Sequence, residues 1–234
     1  MCVCPLVGKP NIVPSPPPLN LGFKAFTLTA AQWGAPITKS INTESTTLQK
    51  KRQLRSKIRN ARRSLSPREQ KQAAIRLQHQ LSQNPNFKYA KRIALYLPND
   101  GEVDTQLAIR QAWKQKKTVY LPVLDPIRKG FLWFVEYKAN SIMRNNRFGI
   151  SEPDTRFNRR VSAKFIQTVG LPLVAFDDHG NRLGMGGGFY DRSFAFCHQK
   201  GTKPKLFGLA HRCQRVDKLP TESWDIQLSG IIVS

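Results

Sequence analysis

Short apolar runs that suit β-strands alternate with amphipathic, helix-like runs over this chain from about residue 48 onward. Strands separated by helices favour a largely parallel sheet covered on both faces. The predicted strands span residues 92–97, 118–123, 131–137, 169–176, 205–210 and 228–233, and two predicted helices between them span 104–116 and 189–199. The pattern therefore predicts a single α/β domain over residues 48–234, with a three-layer α/β/α architecture and a largely parallel central sheet.

Two loops that follow predicted strands are rich in glycine and acidic residues: 98–102 and 177–191. In sheets of this kind, ligands bind beyond the carboxyl ends of the strands. These two loops are therefore the first candidates for a functional site.

Residues 1–47 differ in composition from the rest of the chain. Seven of the sixteen prolines and only four charged residues lie there. Proline-rich sequence favours an extended, unpacked chain. The segment lacks the basic start and compact apolar block of a secretory signal, and it lacks the arginines of a transit peptide. We expect a disordered extension, and we hypothesise that the working protein begins near residue 48.

The net charge of +23, from 38 basic and 15 acidic residues, points to an anionic partner and says little about the fold. Nucleic acid, a membrane surface and small anionic substrates all remain candidates. No apolar run approaches the roughly 20 residues of a membrane span, which excludes an integral membrane protein. Four cysteines, two of them in Cys2-x-Cys4, give neither a disulfide framework nor a zinc site, so a reducing cytoplasm is expected.

An apolar stripe and a basic stripe run side by side along the first predicted helix. The apolar stripe, at helical spacing, consists of Leu54, Ile58, Ala61 and Leu65. The basic stripe consists of Lys51, Arg55, Arg59 and Arg62. Residues 50–76 hold eleven Lys or Arg and one acid, a pattern typical of a nucleic-acid arm and equally of a solvated face with a few working cations. Ser66 and Glu69 predict a capping box at the start of a second helix.

The second candidate loop contains four glycines within five positions, at 184 and 186–188, flanked by Arg182 and Arg192. Such a loop lets the backbone approach a ligand closely and suits phosphate. Its spacing matches neither the Walker A motif nor the dinucleotide fingerprint, so a phosphate site and a tight turn both remain open. Asp191 and Asp225 suit either a magnesium ion beside phosphates or the capping of a helix or turn.

Five blocks of this sequence, in order, closely resemble the 5-formyltetrahydrofolate cyclo-ligases, also called methenyltetrahydrofolate synthetases. The longest block spans residues 171–192 and includes Arg-Leu-Gly-x-Gly-Gly-Gly-Phe-Tyr-Asp-Arg. The others are Lys51-Arg-Gln-Leu-Arg55 and residues 96–105, 148–153 and 219–225. The resemblance covers about residues 50–233. It implies an enzyme that uses ATP and Mg²⁺ to phosphorylate the formyl oxygen of 5-formyltetrahydrofolate and close the methenyl ring, releasing ADP and phosphate.

The resemblance also implies roles for single residues. It assigns catalysis to Arg182 and Tyr190, and the metal to Asp191 and Asp225. It assigns ATP binding to Lys51, Arg52, Arg55, Arg182, Leu183, Gly184, Met185, Gly186, Gly187, Gly188, Phe189 and Tyr190. It assigns folate binding to Leu97, Glu102, Met185, Gly186, Gly187, Gly188 and Phe189. Some members of the family carry a lysine at the place of Gly187, so here the cations must come from elsewhere.

Two other hypotheses about the function remain open besides the cyclo-ligase. A basic RNA-binding protein would account for the charge, but the charge is spread from residue 50 to 218 and no aromatic RNA-binding strand signature is present. A related phosphate-binding α/β protein would keep the fold without the chemistry. We therefore expect a monomeric cytoplasmic enzyme acting on 5-formyltetrahydrofolate, with or without a polyglutamate tail, and no membrane partner; nucleic acid stays open only as a secondary partner.

Overall fold

The computed structural model describes residues 38–201 and 203–234. The α-helices of this part of the chain are α1 (Thr38–Arg63), α2 (Pro67–Gln83), α3 (Pro85–Lys88), α4 (Gln106–Lys114) and α5 (Phe189–Ser193). The first six strands are β1 (Arg92–Ala94), β2 (Thr118–Leu124), β3 (Leu132–Glu136), β4 (Met143–Asn145), β5 (Ser151–Pro153) and β6 (Arg160–Val161). They are followed by β7 (Thr168–Pro172), β8 (Ala175–Phe176), β9 (Arg182–Leu183), β10 (Lys205–Ala210) and β11 (Gly230–Val233).

The central sheet has seven strands in the order β11-β10-β7-β1-β2-β3-β6. The five strands from β11 to β2 are parallel; β3 follows antiparallel to β2, and β6 pairs antiparallel with β3 at the edge. Two small antiparallel hairpins, β4–β5 and β8–β9, stand apart from it. This mixed α/β architecture confirms the predicted fold class.

The two faces of the sheet are covered unequally. Helices α2 and α4 cover one face with buried side chains such as Leu77 and Ile109. Short α5 and the 3₁₀ helix Ala195–His198 cover the other face. The predicted helix 189–199 is interrupted between them at Phe194, where φ is −109° and the completely buried ring packs 5.5 Å from that of Phe134.

Two predicted strands are shorter in the structure because the chain turns into the loops of the site. Strand 92–97 ends at Ala94; the Leu95 amide makes one more bond, to the Tyr120 carbonyl at 3.1 Å, and the Tyr96 carbonyl then accepts from the Thr105 hydroxyl instead of from a neighbouring strand. Strand 169–176 breaks between β7 and β8, where Gln214 Nε2 donates to the carbonyls of Leu173 and Val174 at 2.6 and 3.0 Å. After each break, the chain forms a loop at the carboxyl edge of the sheet.

Helix α1 begins at Thr38, ten residues before the expected domain boundary. The rest of the predicted extension, including Cys2 and Cys4, lies outside the described residues. Leu54 and Ile58 of the apolar stripe pack on the β8–β9 hairpin and Leu219, and not on the central sheet. The hairpin therefore bridges α1 to the sheet. The predicted capping box of α2 is confirmed.

No helix in the described ranges is long and apolar enough to span a bilayer.

Candidate functional site

A cavity of about 480 Å³ opens at the carboxyl ends of β1, β2 and β7, where the sequence places the site. Its walls are mostly apolar, and Phe148 and Phe189 meet edge to face in one of them with ring centroids 6.2 Å apart. Of the predicted folate residues it is lined by Leu97, Glu102, Met185, Gly187, Gly188 and Phe189. Gly186 is the one member of that predicted set outside the lining. An apolar cleft with a few polar groups is typical of a small-molecule site.

The loop 98–102 is held in place by three arginines of α1. Asp100 and Gly101 both adopt positive φ, 53° and 76°, which bends the chain back toward the helix. The Asp100 carboxylate accepts hydrogen bonds from Arg59 and Arg62 at 2.7 Å and another from Arg63. Burial raises the pKa of Asp100, but these three hydrogen bonds outweigh it and bring the pKa to about 2. Asp100 is therefore ionised at neutral pH and anchors the loop.

Arg62 is the central member of this cluster. Its side chain is fully buried, and it donates to the Asp100 carbonyl at 2.6 Å and to the Leu173 carbonyl at 3.3 Å. It thus ties α1 to the loops after β1 and β7. A buried guanidinium needs such partners, because an unpaired buried charge is strongly destabilising.

Glu102 presents a carboxyl group to the cavity. Its Oε2 accepts a hydrogen bond from the Asn99 amide at 3.1 Å, and its Oε1 lies 3.9 Å from Arg62. Burial raises the pKa of Glu102 from 4.5 to about 7, since Arg62 and the Asn99 amide offset it only in part. Near neutral pH this group therefore switches between a hydrogen-bond donor and an acceptor.

Tyr190 lies on the same cavity wall, and its ring stacks parallel to that of Phe194 with centroids 6.4 Å apart. Burial, and then the charge of Glu102, raise the pKa of the Tyr190 phenol far above its usual range. The phenol is therefore neutral at physiological pH and cannot act as a base there.

The glycine loop, residues 184–188, joins β9 to α5 and passes beside α1. Gly186 and Gly188 adopt φ of 97° and 60°, which side-chain-bearing residues rarely adopt. Arg55 Nε donates to the Gly184 carbonyl at 2.9 Å, and Arg192 donates to the Gly187 carbonyl. The loop carbonyls are thus turned toward arginines.

The three predicted ATP cations of α1 stand in different surroundings. Lys51 is buried, and its Nζ lies 2.9 Å from Glu222 Oε1. Arg52 is exposed, and Arg55 is half-buried. Burial, and then the neighbouring charge of Arg52, lower the pKa of Arg55. Over the part of the chain that the structure describes, Arg55 makes no ion pair, so its charge is available to an anion beside the glycine loop.

Both predicted metal ligands also take part in local hydrogen bonds. Asp191 Oδ1 accepts from Arg182 and from the Ile226 amide, while Asp225 Oδ2 accepts from the Glu222 amide at 2.9 Å. No cluster of three or more metal-ligating side chains occurs in residues 38–201 or 203–234. The second oxygen of each carboxylate has no hydrogen bond within these ranges. Mg²⁺ commonly takes one or two carboxylates together with substrate phosphates, and Asp191, which lines the cavity, fits that donor set, while Asp225 is not part of the cavity lining.

Sequence patterns do not single out three residues of the site. Arg62 is only one member of the basic stripe, and Asp100 and Phe148 only lie within blocks that resemble the family. The spacing of Arg55 and Arg62, seven residues apart on one helix face, is a signal that would have paired each with a loop of the site.

Comparison with known proteins gives concordant matches. The sequence model of the 5-formyltetrahydrofolate cyclo-ligase family matches residues 47–234. The 5-formyltetrahydrofolate cyclo-ligase of Haemophilus influenzae is 44% identical over 185 residues, covering 79% of this chain and 98% of that protein. The Escherichia coli K12 protein of the same name is 41% identical over 175 residues, covering 75% and 95%. The solved structure of Aquifex aeolicus 5,10-methenyltetrahydrofolate synthetase aligns with a TM-score of 0.67 and 30% identity, covering 78% of this chain and 89% of that one.

Proposed function

Because the chain belongs to the 5-formyltetrahydrofolate cyclo-ligase family, we propose that it closes 5-formyltetrahydrofolate to 5,10-methenyltetrahydrofolate at the expense of ATP. Cyclo-ligase activity follows from the family, and the use of ATP and the route of the reaction are the proposal. The observation that carries this proposal is that residues 187–189 both line the apolar cavity and belong to the glycine loop beside Arg55. A folate in the cavity and a phosphate on the loop would therefore be neighbours.

The cavity suits the folate. Its apolar and aromatic lining, including Leu97 and Phe189, would cover the flat pterin ring. Glu102 is the acidic group of the lining that suits the amino and N3–H donors of that ring, because its ionised carboxylate is an acceptor only. A polyglutamate tail, if present, would extend out of the cavity.

The glycine loop and α1 suit the triphosphate. Arg55 brings an unpaired cation next to Gly184. Lys51 lies one turn earlier on the same helix and would exchange Glu222 for phosphate oxygens. Together they take the place of the lysine that some relatives carry at position 187. Arg52, which is exposed, would contribute long-range attraction only.

In the proposed reaction the formyl oxygen attacks the γ-phosphorus, and ADP leaves. N10 then attacks the formyl carbon and loses its proton, and phosphate departs with the former formyl oxygen. Phosphoryl transfer of this kind depends on positioning and charge stabilisation more than on a nucleophilic side chain. Arg182 supplies a positive charge at the cavity, and neutral Tyr190 supplies a hydrogen-bond donor.

Asp191 and Asp225 would hold Mg²⁺ through the carboxylate oxygens that face away from their present hydrogen bonds. When bound, this ion supplies positive charge that offsets the charge of the phosphates. Arg182 pairs with Asp191 and keeps that carboxylate oriented. We further propose that the enzyme acts as a monomer in the cytoplasm.

The test is a turnover assay of the purified full chain with 5-formyltetrahydrofolate, ATP and Mg²⁺, following the near-ultraviolet absorbance of the methenyl product. We expect product only when ATP is present, and we expect a chelator of divalent cations to stop its formation. Equal product without ATP would overturn the proposed phosphorylation, and undiminished product with chelator would overturn the metal requirement.

A further inference from the structure

The positive charge of the chain is not concentrated at the functional cavity. The cavity lining holds two arginines, Arg62 and Arg182, against three carboxylates, Asp100, Glu102 and Asp191. The net charge of the whole chain is +23. The excess must therefore lie on other surfaces.

A large groove of about 1090 Å³ lies at the opposite end of the sheet, where parallel strands β1 and β2 begin. We call it the amino-end groove. Its basic lining residues are Lys88, Lys91, Arg92, Lys116, Lys117, Arg159 and Arg160. Its lining contains one acid, Glu136. No residue of this lining also lines the functional cavity.

These cations are left without carboxylate partners. None of the seven forms an ion pair within the described part of the chain, and Glu136 pairs instead with Lys138 at 3.3 Å. Lys117 is structural, because its Nζ donates to the carbonyls of Phe87, Lys88 and Ala90. The other six leave a positive potential in a concave surface, which attracts an anion with several charges.

Two large aromatic rings project into the same groove. Tyr89 is 74% exposed, with Lys88 Nζ 5.6 Å from its ring centroid, and Phe165 is 63% exposed. Arg92 holds Phe165 in place through a hydrogen bond to its carbonyl at 2.6 Å. Cations beside exposed rings match what single-stranded nucleic acid offers, phosphates together with unstacked bases.

The groove continues along the edge strand β6. A second cavity of about 480 Å³ shares Arg160, Val161 and Ser162 with it and adds Lys164, Arg192 and Arg128, of which Arg128 is paired with Asp125 at 3.0 Å. The basic surface is therefore a concave track that is longer than the amino-end groove alone. A track suits a flexible polyanion better than it suits a flat membrane surface.

We propose that the amino-end groove binds single-stranded nucleic acid, with phosphates on its lysines and arginines and bases stacked on Tyr89 and Phe165. This binding is separate from the cyclo-ligase reaction.

The test measures the fluorescence anisotropy of a labelled oligouridine of about 12 nucleotides, a length typical of such sites, with the full chain. The groove variant combines Lys88→Glu, Lys91→Glu and Arg159→Glu. Its control combines Lys71→Glu, Arg110→Glu and Lys200→Glu, which change the net charge equally on surfaces outside the groove. We expect the groove variant to bind at least about tenfold more weakly than the control, with a shallower salt dependence and unchanged cyclo-ligase turnover in both.

A second variant, Tyr89→Ala with Phe165→Ala, leaves the charge unaltered. We expect it to lose at least about fivefold in affinity for the oligouridine and little for inorganic polyphosphate, which has no bases. An equal loss of affinity in the groove and control variants would show that binding depends only on non-specific charge, and it would overturn the site. Unchanged affinity in the aromatic variant would overturn the stacking. A groove variant that loses only its binding to phosphatidylglycerol vesicles would replace the nucleic acid by a membrane.

Discussion

The guanidinium of Arg62 lies 3.9 Å from the carboxylate of Glu102, and it is completely buried there. The same guanidinium bonds both the side chain and the carbonyl of Asp100. The position of the proposed pterin-binding carboxyl is therefore set from α1, through a charge that solvent does not reach. Even so, burial keeps the pKa of Glu102 at about 7.

Glu102→Gln tests the proposed role of this carboxyl in folate binding. In the native enzyme we expect the KM for 5-formyltetrahydrofolate to fall as pH rises through about 7, because the ionised form accepts the hydrogen bonds of the pterin. The glutamine variant should show a KM raised by about tenfold or more at pH 8 and no such pH dependence. Measuring KM across pH 5.5 to 8.5 for both proteins distinguishes them. A native profile that stays flat would contradict the role.

Asp100→Asn tests the arginine cluster through stability. A lowered pKa stabilises the folded state above the pKa of the unfolded chain, 3.8, and this contribution is lost as pH falls through about 2. We expect the variant to lose about 2 kcal/mol of unfolding free energy at pH 7. Urea unfolding at pH 7 and at pH 2.5 measures this, and the difference between variant and native protein should shrink at the lower pH. A difference that is equal at both pH values would point to packing instead of charge.

Asp191→Asn tests the proposed metal role. The amide keeps the shape of the side chain but removes the charge for Mg²⁺ and for Arg182. We expect turnover to fall by about 100-fold or more while the fold is retained, and Asp191→Ala to abolish turnover. Turnover over a magnesium titration, with circular dichroism as the check on folding, measures this. Near-normal turnover at saturating magnesium would remove Asp191 from the metal site.

Lys51→Ala tests the proposed phosphate contact. We expect the KM for ATP to rise by about tenfold, with the KM for folate little changed. Glu222→Gln is the matched control, because it breaks the same ion pair and leaves the cation in place. Steady-state kinetics of both variants separate the two roles. If both variants raise the KM for ATP equally, the ion pair itself matters and Lys51 leaves the ATP site; unaltered ATP kinetics in Lys51→Ala would remove it as well.

Patterns local in sequence predicted much of the fold and the position of the site. Strand β10 has the predicted bounds, and the box of Ser66 and Glu69 caps α2, because both depend on residues close together in the chain. The glycine loop and loop 98–102 meet at one cavity, as the rule for the carboxyl ends of parallel strands requires.

What the sequence did not reveal depends on contacts between distant residues. The split of strand 169–176 follows from Gln214, about 40 residues later, which takes the carbonyls that a longer strand would use. The stop of helix 189–199 follows from the burial of Phe194 against Phe134. Neither partner can be identified from local propensity, because the fold must exist before they meet.

Arg55 and Arg62 lie seven residues apart on α1, and each holds a different loop of the site. A helix rises about 1.5 Å per residue, so the two anchor points are about 10 Å apart along a rod of set length. In the proposed reaction, two helical turns would thus set the separation between the phosphate on the glycine loop and the folate beside loop 98–102. One residue inserted between them would lengthen the rod slightly but rotate one arginine by about 100° away from its loop, so the site would tolerate no insertion in this interval.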